Sequence, residues 1–170
     1  MIYLSLGSNL SSSFGNRIDT LNKAMSLLNN EEIKIKKRSS FYETPSYPDK
    51  DNPKFINLVI SIVSDLNPID LMSKLILIEE SLERKRNKKN DPRTCDIDII
   101  DYKSQVLDFK FNDQNLSIPH KEICNRNFVL FPLQEIDPNW KHPKSGEIIT
   151  SLIKKLSDED RKHILKIKNN

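Results

Sequence analysis

Apolar residues along the chain fall into two patterns, and their alternation lays out the elements. Met1–Leu6 is apolar and rich in β-formers, and Gly7-Ser8-Asn9 closes it with a turn signal. From about Phe14 to Asn29, Ile18, Leu21, Met25 and Leu28 recur at helical spacing. Ile33–Glu43 reads as a strand leading into a loop, Thr44–Lys54, rich in Pro, Asp and Lys. Phe55–Val63 is the clearest strand. Ile56, Leu58, Ile60 and Ile62 make one wholly aliphatic face, while Phe55, Asn57, Val59 and Ser61 take the other. Asn67-Pro68 then opens a helix, with Asn as cap and Pro in the first turn, and its stripe is Leu71, Leu75, Ile78 and Leu82. Glu79 is expected at the border of that stripe, between core and solvent, and Glu80 away from the core.

Arg84–Arg93 is charged and β-poor, a loop, after which Cys95–Tyr102 returns to strand. Pro119–Asp137 mixes short apolar pieces with polar breaks, and Glu147–Leu156 is a further helix. The order strand, helix, strand, strand, helix, strand predicts a ferredoxin-like α+β domain with a mainly antiparallel sheet and helices on one face. No repeat or long linker divides the chain. Residues 1–156 are expected to form one domain and 157–170 a charged tail.

Composition narrows the partners. The 170 residues suit a single domain with a real core, and a formal charge of +3 is too small to argue for nucleic acid. Cys95 and Cys124 are the only cysteines, which gives neither a zinc site nor a disulfide scaffold and fits a reduced, cytoplasmic protein. The start, MIYLSLGSNL, lacks the features of a signal peptide, and no apolar run is long enough to span a bilayer. A soluble protein without membrane or nucleic-acid partners is therefore expected.

The candidate chemistry lies in DPRTCDIDI. Asp96 and Asp98 are two residues apart on a strand, so their carboxylates emerge on one face with Cα atoms roughly 6.5–7 Å apart. Carboxylates so placed can share two Mg²⁺ ions about 3.5–4 Å apart, with phosphate oxygens and water completing the shell. An isolated Asp-x-Asp is more often just a strand's solvent face. Arg93 immediately before it changes the balance, because a guanidinium grips phosphate bidentately and Arg84-Lys85-Arg86 and Lys88-Lys89 add charge nearby. Most of those lysines read as a solvated helix end. A second cluster, Ser117-Ile118-Pro119-His120-Lys121 with Asn125-Arg126-Asn127-Phe128, gathers His, Lys and Arg within ten residues. A lone histidine is more often structural, and Phe128 within FVLF is as readily a core residue as a ligand contact.

In this order LGSNL, SSFYETP, FINLV, IEESLERKR, DPRTCDIDI and IPHKEICNRNFVLFPL resemble the 6-hydroxymethyl-7,8-dihydropterin pyrophosphokinase family of folate synthesis, over roughly residues 2 to 155. The resemblance implies a ferredoxin-like core extended to an α/β/α sandwich. It implies two Mg²⁺, ATP as co-substrate, and in-line attack of the pterin hydroxyl on the β-phosphorus, with release of AMP. Asp96 and Asp98 match the metal-bridging aspartates. Arg93 and Arg126 match phosphate-binding arginines, Arg86 aligns with a catalytic arginine of the preceding loop, and His120 matches the histidine beside the nucleotide. Glu79, Ile99, Ser117 and Lys121 fall at positions lining the ATP pocket. Phe55 and Phe128 match the aromatics that sandwich the pterin, and Asn57 the amide that reads its edge. Thr44 and Pro45 begin the adjoining loop. A monomer is expected, with a possible functional link to dihydropteroate synthase.

The sequence departs from the family's pattern mainly in the ATP loop. Glu83 stands where glycine is common, the loop is one residue short, and Asn90 replaces a tryptophan that often closes the site. Phe55 replaces a tyrosine of some members, and Ile76 is apolar where a polar contact can occur. The loops Thr44–Lys54 and Arg84–Asp91 are expected to close over ligands. Two competing readings are weaker. In a nucleotidyltransferase the acids follow the Gly-Ser within a short span, whereas here they come nearly ninety residues later. A ferredoxin-like RNA-binding module would want a more basic face and no aspartates on a central strand.

Overall fold

In the computed structural model, which describes residues 1–85, 91–112 and 114–168, an antiparallel sheet is built from β1 (Ile2–Ser8), β2 (Ile33–Arg38), β3 (Tyr42–Thr44), β4 (Phe55–Ser64), β5 (Asp96–Tyr102) and the two-residue β8 (Leu165–Lys166). The spatial order is β5-β1-β4-β3-β8, and β2 pairs with the other end of β4. With β2 and β3 taken as two halves of one strand, this is the antiparallel order of a ferredoxin-like domain, as the element order predicts. The helices α1 (Arg17–Leu28) and α2 (Pro68–Ser81) supply the two crossovers.

Both helices begin where their caps dictate. The Asn16 side chain accepts from the N–H groups of Ile18 (2.8 Å) and Asp19 (3.2 Å), and Asp19 accepts in return from the Asn16 N–H. That reciprocal cap puts the start of α1 at Arg17 rather than near Phe14. The Asn67 side chain caps α2 by accepting the Ile69 and Asp70 N–H groups, with Pro68 in the first turn. Just past α2 and its C-cap Leu82, Glu83 adopts φ 67, a left-handed conformation that favours glycine. The family's frequent glycine at this position thus has a backbone reason, and the glutamate here accepts the Ser13 N–H at 3.1 Å.

Ile33–Glu43 is not one continuous strand. Ser39 donates its N–H to the Val59 carbonyl and accepts the Val59 N–H on its hydroxyl, so a side chain interrupts the ladder between β2 and β3. Phe41 is turned inward and only 5% exposed.

Two apolar layers cover the sheet. On one face Leu4, Leu6, Leu58, Ile60, Ile97 and Ile99 pack with the stripes of α1 and α2. On the other, Tyr3, Val59 and Ile100 pack with α3 (Asn127–Ile136) and α4 (Ile149–Lys155). The sequence reading of Pro119–Asp137 as broken pieces misses α3, because Pro132 sits inside it. Also unforeseen are the hairpin β6 (Leu107–Phe111) and β7 (Gln114–Ile118), and the ordering of the tail into α5 (Asp158–Lys162) and β8. Among the described residues, no helix is long and apolar enough to cross a membrane.

Candidate active site

Strand register brings the candidate residues together on the face that α3 and α4 leave open. Gly7 pairs with Asn57 on one side and Asp96 on the other, and Ser5 pairs with Asp98. Residues directly opposite one another project to the same face, so Phe55, Asn57, Asp96 and Asp98 share one face of the sheet, with Gly7 and Ser5 as the floor between them. The floor must be small. A Cβ on Gly7 would sit 3.1 Å from the Asn57 side-chain oxygen and 3.5 Å from the Phe55 ring. The Asn57 side chain is held in place by donating to the Thr44 hydroxyl at 3.0 Å.

Asp96 is enclosed by cations. Arg93 donates to its Oδ2 at 2.8 Å, and Arg84 bonds its Oδ1. Burial opposes ionisation here, but Arg93 and Arg84 outweigh it and hold the carboxyl below its ordinary range. Among the described residues Asp98 has one guanidinium contact, from Arg126 at 3.1 Å. Burial, and then the charge of Asp96, push its carboxyl above the usual range against the pull of His120 and Arg126. The two carboxylates are thus unequal, as two acids sharing one site must be.

The flanking groups have assigned positions. The Arg93 guanidinium lies 4.8 Å from the Phe55 ring centre, and that of Arg126 lies 5.5 Å from Phe128. The His120 N–H reaches the Ile100 carbonyl, which ties this residue to β5 beside Asp98. Its Nδ1 accepts the Glu122 N–H at 3.1 Å. Burial, followed by Arg126, lowers its pKa, so near neutrality the ring is uncharged with its proton on Nε2, a donor available to an anion.

Glu79 departs from the border position expected of it. It is 2% exposed, because its carboxylate accepts the Ile97 N–H at 2.7 Å and pairs with Arg84. Ile99 lies in the core against the helices at 3% exposure. Ser117 donates to Asp108 within the hairpin, and Lys121 is exposed. Among the described residues, Arg84, Arg93 and Arg126 bond the aspartates directly, whereas Ile99, Ser117 and Lys121 make no side-chain bond to them. Arg86 and Asn90 lie outside the described residues.

Sequence reasoning missed three members of the site. Ser5 gave no signal and Gly7 only that of a turn, since their place in the site depends on what pairs beside them. Asn9 reads only as part of a turn. In the fold it accepts the Arg93 N–H at 2.7 Å and donates to the Pro53 carbonyl at 3.1 Å, joining the segment before the aspartates to the end of loop 45–54.

Among the described residues no group of three or more His, Cys, Asp or Glu could hold an ion alone. Two hard carboxylates on one strand fit magnesium that arrives with phosphate oxygens and water.

Residues 3–138 match the model of the 7,8-dihydro-6-hydroxymethylpterin-pyrophosphokinase (HPPK) family. The chain is 37% identical over 142 residues to a 2-amino-4-hydroxy-6-hydroxymethyldihydropteridine pyrophosphokinase of Aquifex aeolicus, covering 84% of this chain and 83% of that protein. It is also 37% identical over 164 residues to a folic acid synthesis protein of Pneumocystis carinii, covering 96% of this chain but 21% of that longer one. A crystal structure of a Plasmodium falciparum HPPK-DHPS triple mutant shares the fold at TM-score 0.77 and 16% identity, covering 99% of this chain and 46% of that one. The chain thus spans a minor part of some relatives and most of another.

Proposed function

The chain belongs to the 7,8-dihydro-6-hydroxymethylpterin-pyrophosphokinase family, and we propose that it moves the pyrophosphoryl group of ATP onto 6-hydroxymethyl-7,8-dihydropterin in folate biosynthesis. The observation that carries this reading is the single face on which Asp96 and Asp98, ringed by Arg84, Arg93 and Arg126, adjoin Phe55 and Asn57 across Gly7. It offers an anion-binding half and a half for a flat polar heterocycle, in contact with each other.

In the reaction the pterin hydroxymethyl oxygen forms a bond to the β-phosphorus. The bond from that phosphorus to the α–β bridging oxygen breaks, AMP leaves, and the hydroxyl proton is lost to a base. Transfer of this kind asks a protein mainly for positioning and charge stabilisation. Arg93 and Arg126 exchange carboxylate for phosphate oxygens, and His120 donates from Nε2 to the same polyphosphate. Arg86, Glu79, Ile99, Ser117 and Lys121 complete the proposed nucleotide side. On the pterin side Phe55 and Phe128 stack on the ring, and Asn57 supplies donor and acceptor to its edge beside Thr44 and Pro45. Asp96 and Asp98 would hold two magnesium ions. Bound there, magnesium would neutralise the triphosphate and align the attacking and leaving oxygens.

A cytoplasmic monomer fits the unpaired thiols of Cys95 and Cys124. A functional link to dihydropteroate synthase is suggested by neighbours named HPPK-DHPS. The test is omission. AMP should form only when protein, Mg²⁺, ATP and the reduced pterin are all present, and ATP breakdown without pterin would contradict the assignment.

A further inference from the structure

Beyond residue 138, where the family match ends, the chain turns back toward the site. We propose that residues 157–167 form a strap that positions the pterin-binding half, with Asn127 as its main anchor. The inference rests on the pterin reading of Phe55, Asn57 and Phe128.

The strap begins after Leu156, which is 7% exposed in the layer under α4. Arg161 donates to the Lys154 carbonyl at 2.8 Å, fixing α5 against the end of α4. From there the strap reaches the site at three places. The Asn127 side chain donates to the Asp160 carbonyl at 2.6 Å, one residue from both Arg126 and Phe128. Lys50, in loop 45–54, pairs with Glu159 at 2.7 Å. Then β8 pairs with β3, aligning Lys166 with Tyr42 and Leu165 with Glu43, and the Ile167 N–H reaches the Phe41 carbonyl at 2.8 Å.

That last contact bears on Asn57 through a short chain. The β3 strand carries Thr44, the acceptor for the Asn57 amide, and β8 closes the edge that β3 would otherwise leave open. Glu135 of α3 reinforces it by accepting from Tyr42 at 2.7 Å and from Lys166 at 3.1 Å. The exposed Lys50–Glu159 pair contributes little alone. The backbone pairing and the Asn127 bond do most of the holding. A recognition surface held in its bound arrangement loses less conformational freedom when ligand arrives. On the nucleotide side, β5 and the segment before it have no such contact with the strap among the described residues, and Arg126 meets it only as the chain neighbour of Asn127.

Asn127→Ala and Asn127→Asp both remove the donor, and Ile167→Pro removes the N–H that reaches Phe41. Each should raise the KM for pterin about fivefold, the scale of one lost hydrogen bond, with the KM for ATP unchanged in Ile167→Pro and raised less than that for pterin in the Asn127 variants, which adjoin Arg126. Amide exchange in the ligand-free protein should speed up in residues 41–54 and 126–130. Asn127→Gln, which keeps a donor, should restore part of the loss. Exchange that changes only within 157–167, or equal rises in both KM values, would overturn the strap. Absence of any turnover in the unaltered chain would sink the pterin reading, while the exchange pattern would still decide whether the strap holds these segments.

Discussion

Replacing Glu79 with alanine probes the most buried charge beside the site. The side chain accepts the Ile97 N–H at 2.7 Å and pairs with an Arg84 that is itself only 12% exposed. Its removal takes the acceptor from a buried backbone donor at the start of β5, a loss of about 1–3 kcal/mol. It also takes one partner from a buried guanidinium. Breaking such a pair outright costs about 3–5 kcal/mol, but Arg84 keeps Asp96 and the Cys95 carbonyl, at 3.2 Å for the latter. The combined cost should therefore be about 2–4 kcal/mol, and for a chain of this size a fall in Tm of roughly 5–15 °C. Glu79→Gln keeps an acceptor for Ile97 and loses only charge, so it should cost about half as much. Urea unfolding with an unchanged slope would read these values directly. An alanine variant within about 0.5 kcal/mol of the parent, or glutamine as damaging as alanine, would refute the anchoring role.

Gly7→Ala places a methyl 3.1 Å from the Asn57 oxygen; it should raise the KM for pterin several-fold with little change in Tm, and an unchanged KM would mean that Asn57 is not read by substrate. Asp98→Asn should lower turnover by about two orders of magnitude or more while circular dichroism stays native, since among the described residues only Arg126 loses an ion-pair partner; retained turnover would remove the metal assignment. Burial raises the Glu135 carboxyl, but bonds from Tyr42, Ser40 and Lys166 outweigh it and hold the folded value below the ordinary 4.5. The unfolded chain then binds more protons in that window, so the contribution is present above pH 4.5 and lost as pH falls through the folded value. Urea midpoints measured from acid to neutral pH should show the parent's advantage over Glu135→Gln shrinking toward acid, and a constant gap would contradict the sign.

Much of this arrangement was legible because it follows from period. Alternation in Phe55–Ser64 puts four aliphatic residues on the core face and Phe55 and Asn57 opposite, and the same period of two sets Asp96 and Asp98 together. What stayed hidden depends on distant partners. Glu79 looks like a border residue on its own helix and becomes buried only because Arg84 and the Ile97 N–H meet it. Gly7 and Asn9 read as a turn, and only β4, β5 and the Arg93 backbone give them their tasks. Pro132 masks α3, and β8 is two exposed residues whose pairing with β3 no local pattern signals.

The central claim is that the β-phosphorus, and not the γ-phosphorus, is attacked. Phosphorus NMR of the reaction of ATP with the reduced pterin and Mg²⁺ tests it most directly. The account predicts AMP and a pterin diphosphate ester in equal amounts, with the β- and γ-phosphates of ATP both in the pterin product. Formation of ADP with a pterin monophosphate, or of free pyrophosphate with an adenylated pterin, would contradict it.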